Sequence, residues 1–230
     1  MAKKRLFVAG FFITLLMLVT ILFSNFLMSN LREDAVIDRM ATMLQSYEEM
    51  QTLLIMADFF GEESTCIALE SLLMGMNEDL WELGIKIDQY RQVTEEFTRS
   101  PFYFEQKKLF NQRAILYFSM LKQMHEMCNV NQLLMTFFYI KSEDCPNCDA
   151  QSFVLTDIRM DLERINRSDE LALFSFDVDL NLPTVNLLLK HYNITEFPCV
   201  LVEDDVFCGL RNKNEVRSII CDRDGNTICY

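Results

Sequence analysis

Residues 133–140 read LLMTFFYI, an unbroken apolar run, and a polar turn carries the chain from there into Cys145-Pro-Asn-Cys148. A short apolar run bounded by a turn is what a strand buried on both faces requires. The residues that follow, 149–166, predict a helix with Phe153, Ile158, Leu162 and Ile165 inward. Two cysteines at this spacing leave three chemistries open: electron exchange, metal binding, or a structural staple. The compartment in which they sit decides between them.

The other end of the chain speaks to the compartment. Lys3, Lys4 and Arg5 precede an uncharged stretch from Leu6 to Leu31. At about 1.5 Å per residue that stretch reaches roughly 39 Å, more than the ~30 Å hydrocarbon core of a bilayer. A cleaved signal peptide has an apolar region of about 7–15 residues ending in small side chains. Asn25-Phe26-Leu27-Met28 offers no such site. The stretch therefore predicts a transmembrane signal-anchor helix over 6–31, with residues 1–5 cytoplasmic and the rest of this single-pass membrane protein extracytoplasmic. In that setting disulfides form and persist. Asn166-Arg-Ser and Asn193-Ile-Thr fit an exported chain, although such triplets arise often by chance.

Residues 32–130 predict an all-α region of three helices. Val36, Met40, Met43, Tyr47, Met50 and Leu54 keep helical spacing, and Phe59-Phe60-Gly61 ends that segment. Leu69, Leu72, Met76, Leu80, Leu83, Ile87 and Tyr90 form a second stripe, close to a coiled-coil seam. Ser100-Pro101 starts a third helix, with Phe110, Tyr117, Met120, Leu121 and Met124 on one side. Such stripes are read as core packing in preference to a Met-rich binding groove. His125 stands alone there and carries no catalytic constellation. Short connections imply an up-down-up arrangement, which brings Cys66 and Cys128 to the same end. A Cys66–Cys128 disulfide is the expected structural bridge, and free buried thiols are the alternative. The formal net charge of -13 excludes nucleic acid as a partner, because a binder must neutralise phosphates.

Past residue 131 further apolar runs follow. LALFSFDV (171–178) reads as a second buried strand and LPTVNLLLKHY (182–192) as a helix. PCVLV (198–202) and VFCGL (206–210) read as short strands, and NEVRSII (214–220) as a last helix. With CPNC after the first strand and NITEFPCVLV fifty residues on, residues 132–221 resemble the thioredoxin-like superfamily. The resemblance implies an α/β thioredoxin-like fold, β-α-β-α-β-β-α, over a domain at 131–221. A transmembrane helix and the helical region precede it, and a tail, 222–230, follows it. It further implies a cis-proline at Pro198 beside the redox-active pair Cys145 and Cys148.

A helix that starts at the CPNC turn points unsatisfied N–H groups and its positive end at the first sulfur, which favours the reactive thiolate. Cys145 is then the exposed nucleophile, Cys148 the buried resolving thiol, and Pro146 beside Asn147 pre-sets the first turn. CPxC resembles glutaredoxins and periplasmic disulfide oxidases more than thioredoxin itself. The chain departs from the thioredoxin pattern in three places. Tyr139 stands where a buried Asp is common, Ser175 near where a Lys accompanies it, and Asp144 where a Trp precedes the first cysteine. Glu143 and Asp144 are read as solvated turn residues, with proton acceptance the alternative. Cys199, directly after Pro198, is either a core residue, an additional redox thiol or a third metal ligand. Cys221 has Cys229 or Cys208 as candidate partners. Asp222-x-Asp224-Gly225 lacks the further acids of a calcium loop.

The expected function is a membrane-anchored thiol–disulfide oxidoreductase that works by dithiol/disulfide exchange and needs no cofactor. Its expected partners are cysteine-containing client proteins and a membrane electron-transfer or redox partner. Two alternatives stand beside it. One is a non-catalytic binding or scaffold module with a structural CPNC disulfide. The other is zinc or copper handling through Cys145, Cys148 and Cys199.

Overall fold

A computed structural model of the chain describes residues 2–93, 101–128, 132–141 and 143–223. The chain divides into two compact units, Met1–Thr42 and Met43–Tyr230. The first helix, α1, runs unbroken over Ala2–Phe60.

In the first unit the described side chains from Gly10 to Ser24 are exposed, among them Phe11, Leu16, Ile21 and Phe23. Among the described residues no helix is long and apolar enough to cross a membrane. The single-pass anchor at 6–31, and the localisation derived from it, are thereby corrected.

The second unit opens with the last turns of α1, where Tyr47, Met50 and Ala57 are buried. Gly61 ends the helix. Its φ of 88° is a left-handed conformation open to glycine, and its N–H donates to the Ala57 carbonyl at 3.0 Å. Helix α2 spans Glu62–Val93 and α3 spans Pro101–Cys128. Leu69, Met76, Leu80, Leu83 and Ile87 are buried on α2; Tyr117, Met120, Leu121 and Met124 are buried on α3. The helices approach closely at Gly84, where a Cβ would lie 3.3 Å from the Phe110 ring. A disulfide joins Cys66 near the start of α2 to Cys128 at the end of α3. The Tyr47 hydroxyl donates to the Arg113 carbonyl at 2.5 Å and ties the end of α1 to α3.

A four-stranded mixed sheet follows, in the order β2-β1-β3-β4. Its strands are β1 (Leu133–Tyr139), β2 (Leu171–Asp177), β3 (Cys199–Val202) and β4 (Asp205–Cys208). The β1–β2 pair is parallel, with Tyr139 beside Asp177; β3 runs antiparallel to β1 and to β4. Helix α4 (Cys148–Arg164) links β1 to β2, α5 (Pro183–His191) lies between β2 and β3, and α6 (Lys213–Arg223) closes the described chain. On one face of the sheet Leu133, Met135 and Phe137 pack with Leu155 and Ile158 of α4 and Val216 of α6.

The other face decides the architecture. Tyr117 and Phe118 of α3 lie with ring centroids 5.5 Å from Phe174 of β2, and Phe118 also meets Phe176 at 6.4 Å. Fully burying a side chain of this size contributes about 1.5–3 kcal/mol. Buried Arg159 of α4 donates to the Leu171 carbonyl at 2.7 Å and lies 5.4 Å from the Trp81 ring of α2. The helices are thus part of the sheet's own core, not a region set before it. The expected α/β thioredoxin-like fold behind a membrane helix is corrected accordingly: the chain is mostly helical, with one small mixed sheet.

Candidate functional site

Six cysteines pair within the described residues: Cys66–Cys128, Cys145–Cys148 and Cys199–Cys208. Cys221 is also disulfide-bonded, and Cys229 lies outside the described residues. Cys199 and Cys208 face one another in the antiparallel β3–β4 register. Cys199 is therefore neither a free thiol nor a third ligand beside Cys145 and Cys148. Among the described residues no group of three or more His, Cys, Asp or Glu side chains is placed to hold a metal ion.

The CPNC turn sits where β1 ends and α4 begins. The N–H groups of Asp144 and Cys145 both donate to the Lys141 carbonyl at 3.0 Å, and the Cys148 N–H donates to the Cys145 carbonyl at 3.0 Å. Helix α4 starts at Cys148, so Pro146 and Asn147 belong to the turn before it. Asn147 occupies the N-cap position without a side-chain capping bond. The Cys145–Cys148 disulfide thus lies at a helix N-terminus, where unsatisfied N–H groups favour negative charge.

The exposure of the two cysteines differs from expectation. Cys145 and Cys148 are each only 3 % exposed, so the first is as buried as the second in the disulfide form. Their neighbours Glu143, Asp144, Pro146 and Asn147 are exposed. The α4 stripe also differs. Cys148, Gln151, Leu155, Ile158 and Leu162 face inward, while Phe153 is 71 % exposed and Ile165 points outward. Phe153 and Ile158 are five residues apart, which takes them to different faces of a 3.6-residue turn.

Pro198 is buried, follows a cis peptide bond from Phe197, and leads into Cys199, which pairs with Phe138 of β1. The start of β3 therefore lies at the same end of the sheet as the C-terminal ends of β1 and β2. Tyr139 and Asp177 occupy that end as register partners, and α3 supplies a cation to them. Lys107 pairs with the Asp177 carboxylate, and its Nζ lies 5.4 Å from the centre of the Tyr139 ring. Burial pulls the Lys107 ammonium down, but Tyr139 and Asp177 outweigh it and hold its pKa above the ordinary value. Burial pushes the Tyr139 hydroxyl up to about 12. Ser175 is half-buried on β2 and belongs to no such pair.

Asp177 carried a signal in the sequence: it is the one charged residue inside the apolar run 171–178. Lys107 carried none, because its partner is seventy residues away.

No family model, curated protein or solved structure matches the chain. None of these comparisons supports the thioredoxin-like resemblance, which has no basis beyond the residues CPNC and Pro198.

Proposed function

We propose that the chain is a thiol–disulfide oxidoreductase whose working pair is Cys145 and Cys148. One observation carries the reading. The bridge spans a sequence separation of only three at the start of α4, so it ties no distant elements together. A staple in that position adds little constraint, whereas a reversible disulfide at a helix N-terminus gains an electrostatically favoured thiolate when it opens.

In the exchange a client thiolate attacks Cys145 Sγ, the Cys145–Cys148 bond breaks, and Cys148 leaves as a thiolate. A second client thiol, deprotonated, then displaces Cys145. The client becomes a disulfide, and the two electrons reside in the Cys145–Cys148 dithiol. The reverse sequence reduces a client disulfide. The partners are proteins that present a thiol pair or an accessible disulfide.

The burial of Cys145 favours a second reading, a binding module with a structural CPNC bridge, since exchange needs access to a sulfur. The reduction potential of the pair separates the two. A value between roughly -270 and -120 mV supports exchange, and one well below about -300 mV supports the structural bridge. Trapping adds the assignment of roles. Cys148→Ser is expected to accumulate a mixed disulfide on Cys145, and Cys145→Ser to accumulate none. Equal trapping by both variants overturns the assignment.

A further inference from the structure

We propose that Lys107 and Asp179 are positioning residues for the Cys145–Cys148 pair, acting through a chain of hydrogen bonds that holds the CPNC turn closed over its sulfurs. The inference rests on the redox reading above and deepens it by naming what governs access to the site.

The chain of contacts begins on α3. Lys107 pairs with Asp177 Oδ2, and Asn111 Oδ1 accepts the Asp177 N–H at 2.9 Å, so α3 grips both the side chain and the backbone of Asp177. The other carboxylate oxygen, Asp177 Oδ1, accepts the Asp179 N–H at 2.9 Å. Asp179 Oδ2 in turn accepts the Lys141 N–H at 2.8 Å. The Lys141 carbonyl accepts the N–H groups of Asp144 and Cys145. Four linked contacts thus run from the second turn of α3 to the backbone of the first cysteine.

Their strength is graded along the chain. The Lys107 and Asp177 side chains are 19 % and 5 % exposed, so their pairing is little screened by water and salt. Asp179 is exposed, and its bond to Lys141 is the weakest point. Cys145 is buried within the turn they hold, although the residues around it are exposed. An attacking sulfur reaches Cys145 only when the turn opens, and opening means parting Lys141 from Asp179. The helices therefore set how readily the disulfide reacts, while Cys145 and Cys148 perform the chemistry.

The test measures how fast the full-length chain is reduced by dithiothreitol, by alkylation and mass spectrometry of the Cys145–Cys148 and Cys66–Cys128 peptides separately. Loss of one such hydrogen bond, Asp179→Ala, is expected to speed reduction of Cys145–Cys148 about fivefold. The Cys66–Cys128 bridge should be reduced at its original rate. Lys107→Met should act in the same direction, and the double variant should be no faster than the faster single one, because both break the same chain. An unchanged rate in Asp179→Ala overturns the proposal. So does equal acceleration at both bridges, which marks general loosening. Additive effects of the two substitutions also overturn it. If Lys107→Met does not fold, Asp179→Ala decides alone, since Asp179 lies on the surface. The potential of the unsubstituted protein tests the oxidoreductase reading, and the ratio of rates tests this one.

Discussion

Cys66–Cys128 and Cys145–Cys148 have the same Cα separation, 5.4 Å, yet they span sequence separations of 62 and 3. The entropy removed from the unfolded chain grows with the loop that a bridge closes. On the chain-entropy account the first contributes about 4 kcal/mol and the second about 1.6 kcal/mol. The same bond therefore serves two ends. Between α2 and α3 it fixes a helical hairpin that is otherwise held by side-chain packing. At the CPNC turn it closes a loop that the backbone already closes, because Cys148 N–H donates to the Cys145 carbonyl. A cross-link that constrains little is one that can open at little cost to the fold.

Removing each bridge sharpens this comparison most directly. Replacing Cys66 and Cys128 together with Ser is expected to lower the unfolding free energy in urea by about 4 kcal/mol. Replacing Cys145 and Cys148 together should lower it by less than half as much. Equal losses would break the comparison, since they would mean that the CPNC bridge is as structural as the other.

The next effect belongs to the Lys107–Asp177 pair, which joins the two regions. Lys107→Met leaves the Asp177 carboxylate buried without its cation, which is expected to cost about 3 kcal/mol. A cost below about 1 kcal/mol in the same urea titration would place the pair with ordinary surface ion pairs instead.

Alkaline pH probes the same cluster more gently. Tyr139 and Lys107 both hold their protons above the ordinary range in the folded chain. The folded state then binds more protons than the unfolded state, so stability falls as pH rises from 10 towards 12. Tyr139 should contribute a loss on the order of 1 kcal/mol over that window. Tyr139→Phe is expected to flatten part of the slope, and an unaltered slope would remove Tyr139 from the account.

His125, half-buried near the end of α3, gives the smallest effect. Burial lowers its pKa, with Glu203 opposing and Lys122 assisting. Here the folded state binds fewer protons, so stability is lost as pH falls below the unfolded value of 6.5. His125→Gln should reduce the drop in urea midpoint between neutral and mildly acidic pH. If the drop persists in full, other groups cause it.

The local elements were legible because they follow from spacing. The run at 133–140 became β1 at Leu133–Tyr139, Pro183 began a helix, and the stripes of α2 and α3 are buried largely where their periodicity placed them. On α4 the buried stripe departs from the expected one at Phe153, since neighbouring apolar residues do not say which face the sheet covers. The candidate site was legible as far as a motif reaches, in Cys145, Cys148 and the proline fifty residues later. Its access was not, because the burial of Cys145 depends on residues that no motif contains.

The sequence by itself determined which segments are helices and strands, where the CPNC turn falls, and how small a loop its disulfide closes. These are properties of neighbouring residues and of the bonds between them. Only the tertiary structure decided that α3 covers a face of the sheet, that Cys199 pairs with Cys208, and that Lys107 reaches the edge beside the turn. Each of these joins elements that the chain visits separately. Their meeting is fixed by packing at native density and by the cost of leaving a buried charge unpaired, and neither is written in the spacing of residues along the chain.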